Sequence, residues 1–291
     1  MNLFLSILAT ALYGVACARL FFSLSRAQPL QLAPANELGN NANNKANNKA
    51  KGLHQSSSRR LTLGIAAIAG LLHLVVVLSQ TGLPAHLLLP FFTALSVTAL
   101  VIVLLQLLLC LRHSADYLGL AAYPFAAVTL LASQSTANNL APIQGQAIQL
   151  HVLLSMAAYA VLALAATQAV LAAIQRHFLN AHKPGGFMRA LPPFETTENL
   201  LFALLQTGFI LLTLSLASGF FYLENMFSQH LAHKTLLSSI AWTLFGTLIY
   251  GRWRYGWRGR RAVQWTLIGF GVLILAYFGS KLVLELILQR S

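Results

Sequence analysis

Nine histidines stand in a chain of 291 residues that holds only six acidic side chains. Hydrolytic chemistry needs paired carboxylates or a nucleophile oriented by a base. No such pair and no HExxH motif is visible here, so no enzymatic reaction is expected. The histidines carry the chemistry that remains. His73 lies inside an apolar run (IAGLLHLVVVL), His151 opens another (IQLHVLLSMAAYA), and His230 and His233 lie in NMFSQHLAHK. Ser155 and Tyr159 follow His151 at steps of four, so these three polar side chains share one broad helical face. Neutral imidazole is a common ligand of metals and of haem iron. His151 is the candidate ligand of a haem iron, with His73 or His233 as the second. A plainer reading of the residues stays open beside it: His151 as an interfacial polar cap, His73 hydrogen-bonded to a neighbouring helix, His230 and His233 solvated.

The other chemistry-bearing residues point nowhere sharper. Cys17 and Cys110 both lie in apolar runs, with no CxxC or CxxCH. That excludes a thioredoxin-like redox pair and covalent c-type haem attachment on this chain, and leaves two small hydrophobes. Lys281 and Glu285 stand four apart, as a mutual ion pair or, alternatively, as part of a path for protons or ions. Glu195 and Glu198 in PFETTENLL read as acids at the start of a helix, where the macrodipole favours them.

These residues must be positioned by apolar elements. Charged types make up 9% of the chain and apolar types 57%, against roughly a quarter charged in soluble domains. A water-soluble fold of this size could not cover its surface with so few charges, so the composition excludes an ordinary soluble enzyme and predicts an all-α polytopic membrane bundle. A spanning helix takes about 20 mostly apolar residues. Eight runs qualify, at 3–24, 61–78, 90–111, 117–133, 151–174, 200–223, 236–251 and 263–288. The first lacks the basic start of a signal peptide and is read as a retained helix. The stretch 40–58 (NNANNKANNKAKGLHQSSS) has almost nothing to bury and is expected to be a disordered cytoplasmic loop inside a single domain, 1–291.

The net charge is +13. The basic residues gather in short segments between apolar runs, the pattern that orients membrane helices rather than one that binds nucleic acid. All of the nineteen Lys and Arg except Lys234, Lys281 and Arg290 fall on one side of an eight-helix arrangement. That side is expected to be cytoplasmic, with both termini outside, in the periplasm of a Gram-negative cell. Membrane lipid is the expected partner, and Arg252–Arg261, interleaved with Trp253, Tyr255 and Trp257, is expected at the headgroups.

The C-terminal half carries recognisable blocks. HVLLSMAAYAVLALAATQAVL from His151 resembles the HVxxxxxxYA helix of the CcsA/ResC-type cytochrome c assembly proteins. LPPFETTENLLFALLQTGFILLTLSLASG, from Leu191 to Gly219, looks like that family's next helix. GWRGRRAVQWTLIGFGVLILAYFGSKLV, from Gly256 to Val283, resembles its most specific block, the GWRGRR turn and the helix ending in YFG. The chain is similar to the YpjD-like inner-membrane branch. The resemblance implies haem delivery or export at the outer face, alongside other cytochrome c assembly proteins, and carries His151 onto the family's outer histidine. It also shows departures. The loop 224–235 has no tryptophan where the family has a WxWD motif, and Tyr250 stands eight residues after Trp242 where the family has a histidine. The expected role is therefore an accessory protein positioning haem, with a scaffold or regulator that kept the fold and lost the site as the alternative.

Overall fold

The computed structural model describes residues 2–25, 57–82, 89–135, 145–180, 191–221 and 234–276, together with the helical backbone of 41–56, 222 and 229–233. Among the described residues the fold is entirely helical. Eight α-helices follow one another: α1 (Asn2–Ser25), α2 (Asn41–Thr81), α3 (Phe91–Arg112), α4 (Gly119–Ser133), α5 (Gln146–Asn180), α6 (Phe194–Tyr222), α7 (Gln229–Tyr255) and α8 (Arg260–Ile274). A short 3-10 turn, Asp116–Leu118, leads into α4.

Six of these helical stretches are long and apolar enough to cross a membrane: Asn2–Ser25, Ser57–Thr81, Phe91–Arg112, Asp116–Ser133, Gln146–Asn180 and Phe194–Phe221. α7 and α8 fall short for identifiable reasons. Ser, Thr, Trp and Tyr dilute the apolar stretch of α7, and α8 has 15 residues. The expected ion pair Lys281–Glu285 lies outside the described residues. One boundary differs from expectation. The backbone of 41–58, expected as a disordered loop, continues α2 toward its N-terminus. Extending an existing helix needs only propagation, one hydrogen bond per residue fixed, and not the costly nucleus.

The packing is the reverse of a soluble protein's. Small residues fill the interior: Ala66, Ala69, Ala158, Ala160, Ala165 and Ala169 are fully enclosed or nearly so, while Phe4, Phe21, Leu71, Leu108, Val128 and Phe220 face outward. In lipid there is no apolar driving force between helices, so close backbone approach through small residues decides which faces meet. α5 packs most extensively on α6, and also meets α3 and α8. α1 lies between α2 and α4, and α3 joins that group to α5.

Buried polar side chains tie the helices together. Gln106 donates to Cys110 Sγ (3.0 Å) and accepts from Tyr123 Oη (3.1 Å). Gln168 donates to Tyr117 Oη (3.1 Å) and to Thr197 O (3.0 Å), linking α5 to the starts of α4 and α6. Arg59 holds Asp116 through both carboxylate oxygens, at 3.1 and 2.9 Å, and reaches Cys110 O at 2.8 Å. These contacts gather the start of α2's apolar part, the end of α3, α5 and the starts of α4 and α6 toward one end of the bundle, where Arg59 lies.

Candidate functional site

His151 sits five residues into α5, at the opposite end from the arginines, half-buried against the end of α6. α6 reaches it with SLASG, and each small residue has a use. At Gly219 a Cβ would meet His151 Cε1 at 3.0 Å, so only glycine lets the ring lie this close to the helix. Ser218 Oγ is 2.9 Å from His151 Nδ1 and 2.8 Å from Ser215 O. A hydroxyl has one proton to give. Ser218 can give that proton to the Ser215 carbonyl or to His151 Nδ1, and in the first arrangement Nδ1 carries the imidazole proton. In that tautomer the lone pair is on Nε2. This is how a ligating histidine is held, one nitrogen fixed by a partner and the other presented.

The face predicted from spacing is present, but its members go to different partners. Ser155 Oγ lies 2.7 Å from His151 O, to which it can donate, and 2.6 Å from Ser215 Oγ. Tyr159 donates to Leu273 O at 3.0 Å, fastening α5 to α8. Ala158 and Ala160 are fully buried in helix packing.

His73 is placed elsewhere and differently. It has no exposed surface. Its Nδ1 is 3.3 Å from Tyr13 Oη on α1 and its Nε2 is 2.8 Å from Ser96 Oγ on α3. Tyr13 also stacks on Tyr123 of α4, with ring centroids 6.0 Å apart. Both nitrogens are engaged, so His73 joins α1, α2 and α3, the hydrogen-bonded reading of this residue. His230 and His233 lie outside the described side chains. Among the described residues no group of three or more His, Cys, Asp or Glu could hold a metal ion. The fit to haem is therefore that of one histidine with a fixed ring, and the described residues bring no second histidine beside it.

The basic end holds an arrangement that sequence reasoning missed. Glu198, read as a helix-start acid, is almost fully buried. Its carboxylate accepts from Arg258 Nε (2.6 Å) and from the backbone N–H of Gly259 (2.6 Å), with Arg252 Nη1 at 3.8 Å. The PFETTENLL and GWRGRR segments are thus two halves of one contact between α6 and the α7–α8 turn. The Arg258 guanidinium pKa is raised above its ordinary value, first by the hydrogen bond to Glu198 and then by its charge. The turn itself needs glycine: Gly256 has φ 65° and Gly259 has φ 61° with ψ −124°, the latter being the first central position of a type II′ turn.

Comparison with known proteins follows the same segments. The chain is 41% identical over 138 residues to inner membrane protein YpjD of Escherichia coli, a match covering 47% of this chain and 52% of that protein. It is 35% identical over 143 residues to an uncharacterized protein of Azospirillum brasilense, covering 48% and 53%. A cytochrome c biogenesis protein CcsA of Synechococcus elongatus is 28% identical over 90 residues, 30% of this chain and 28% of that protein. The matches to the first two of these relatives span about half the length of each. No solved structure matches. The family described as cytochrome C assembly protein matches residues 60–288, from the start of α2's apolar part to beyond α8, and the chain belongs to that family.

Proposed function

We propose that this is a non-enzymatic, haem-handling accessory protein of cytochrome c assembly, in a bacterial inner membrane, with His151 as the residue that meets the haem. The observation that carries the reading is the contact of His151 Nδ1 with Ser218 Oγ at 2.9 Å, which fixes the ring and leaves Nε2 as the nitrogen for a ligand. Family membership supplies the ligand class, since a CcsA relative is a cytochrome c biogenesis protein. Bound haem would supply an iron that takes imidazole as an axial ligand. Ser218 and Ser215 fix the ring, Gly219 keeps the space beside it clear, and the α5–α6 seam gives the site a rigid base. In this reading all eight helices cross the bilayer. The arginine-rich end faces the cytoplasm, and His151 and both termini face the periplasm.

A second reading, a scaffold without haem, is favoured by one observation: His73 is closed off by Tyr13 and Ser96, so it offers no free nitrogen as second ligand. The absorption spectrum of the detergent-purified protein titrated with haem separates the two. Under the first reading a Soret band saturates at one haem per chain, His151→Ala weakens it, and imidazole restores part of it. No saturable band, or an unchanged spectrum and affinity in His151→Ala, overturns that reading.

A further inference from the structure

At the opposite end from His151, α5, α7 and α8 border an open cleft of about 640 Å³ lined by Arg176, Arg258, Arg260 and Arg261, with Tyr255, Trp257 and Gln264. Of the neighbouring acids, Glu198 is already taken by Arg258 and Arg252, and the charge of Glu195 also reaches Arg258. Among the described residues Arg176, Arg260 and Arg261 have no carboxylate within ion-pair distance. Unneutralised like charges repel, and relaxed chains spread them apart. Here the turn prevents that. Glu198 clamps Arg258 and the Gly259 N–H, and Gly259, lacking a side chain, lets Arg176 lie against it: a Cβ there would meet Arg176 Nη1 at 2.6 Å. Arg261 is further oriented by Trp257, its guanidinium carbon 5.8 Å from the ring centroid.

Guanidinium forks lining one cleft without a carboxylate partner are complementary to an oxyanion with several oxygens, which they bind bidentately. α8 begins at Arg260, so the positive end of its dipole adds to the same field. The surroundings indicate where such an anion sits. Trp253 is 81% exposed and Tyr255 66%, at the end of α7 beside the cleft. Large exposed aromatics flanked by arginines mark the headgroup level of a bilayer.

We infer that this cleft binds a phosphate group, gripped by Arg260 and Arg261 from α8 and Arg176 from α5, and that an anionic phospholipid headgroup is the carrier the site is built for. The site is independent of haem and of His151. Nonspecific attraction of a basic surface to anionic lipid would depend on total charge. A built cleft depends on which arginine is removed.

The test uses the full chain, delipidated in detergent, with bound lipid counted by native mass spectrometry. Phosphatidylglycerol should bind saturably and in preference to phosphatidylcholine. Arg260→Gln/Arg261→Gln should weaken that binding about fivefold for each arginine removed. Arg254→Gln, which removes one charge from a side chain that does not itself line the cleft, should leave it unchanged. Gln264→Glu places a carboxylate among the arginines and should abolish it, giving a second variant whose thermal unfolding can be matched to wild type. Competition with inorganic phosphate distinguishes the carriers: displacement of the lipid at millimolar phosphate assigns the cleft to soluble phosphate, and no displacement assigns it to the headgroup. The inference is overturned if wild type neither prefers phosphatidylglycerol nor binds phosphate, if the double variant binds as wild type does, or if Arg254→Gln lowers binding as much as the loss of a cleft arginine.

Discussion

Replacing His73 with leucine removes two interhelical hydrogen bonds and leaves Tyr13 Oη and Ser96 Oγ without this partner in an interior that has no exposed surface. Interhelical hydrogen bonds in membranes average well below the value expected for dry protein, so the loss should be about 1–2 kcal/mol. Thermal unfolding in detergent would show it, with haem uptake unchanged if His73 serves packing alone. Ser218→Ala should do the opposite under the haem-handling reading. It removes the partner that holds His151 Nδ1, so haem affinity should fall about tenfold or more, while the melting temperature moves little. A Ser218→Ala protein with wild-type haem affinity would show that Ser218 does not orient the ligand. The sequence made His151 visible as a histidine opening an apolar helix, and the step of four to Ser155 and Tyr159 placed them on its face. It did not show what holds the ring. Ser215, Ser218 and Gly219 come from α6, more than sixty residues away, and nothing in SLASG distinguishes a ring cradle from ordinary small-residue packing.

Elements were legible where composition alone defines them. The apolar runs at 3–24, 61–78, 90–111, 117–133, 151–174 and 200–223 all fall on helices, because a segment without water must satisfy its own backbone. The low-complexity stretch 40–58 was read by its lack of apolar residues, a criterion for burial and not for local backbone conformation, and its backbone from Asn41 is helical. The join between α6 and the α7–α8 turn was hidden, since an acid near a helix start looks the same whether it caps a dipole or meets a distant turn. The turn predicts a large effect of a small change. At Gly259 the backbone has φ 61° and ψ −124°, a conformation that L side chains rarely adopt, so Gly259→Ala should destabilise by about 1–3 kcal/mol. The new methyl also forces Arg176 aside. Glu198→Gln keeps the shape but removes the charge that pairs Arg258, and should lower the melting temperature with a dependence on salt that wild type lacks. A Gly259→Ala protein as stable as wild type would mean that the turn relaxes without cost.

For the whole molecule the decisive asymmetry is between its two ends. One carries Arg59, Arg112, Arg176, Arg252 and the α7–α8 arginines, drawn together by Asp116 and Glu198. The other carries His151 and the serines of α6. This separation follows from the order of helices: Arg59 at the start of α2's apolar part and the helix ends at Arg112, Arg176, Glu198 and Arg252 meet at the basic end, and the start of α5 at His151 meets the end of α6 at Ser218 at the other. Packing of this kind fixes relative sides, and the positive-inside bias then fixes which side is which, because translocating a short segment dense in arginine is costly. Reporter fusions within 136–144 and 223–228 should therefore give an external signal, and fusions within 181–190 a cytoplasmic one. The fusion at 223–228 is the most demanding, since α7 is long enough to span but falls short of the hydropathy of a spanning helix. If α7 lay along the surface instead of crossing, the 223–228 reporter would still be external, but a reporter in 256–259 would be external with it. That single result would separate the α7–α8 arginines from Arg176 and Glu198, and would overturn the phosphate cleft together with the orientation proposed for α7 and α8.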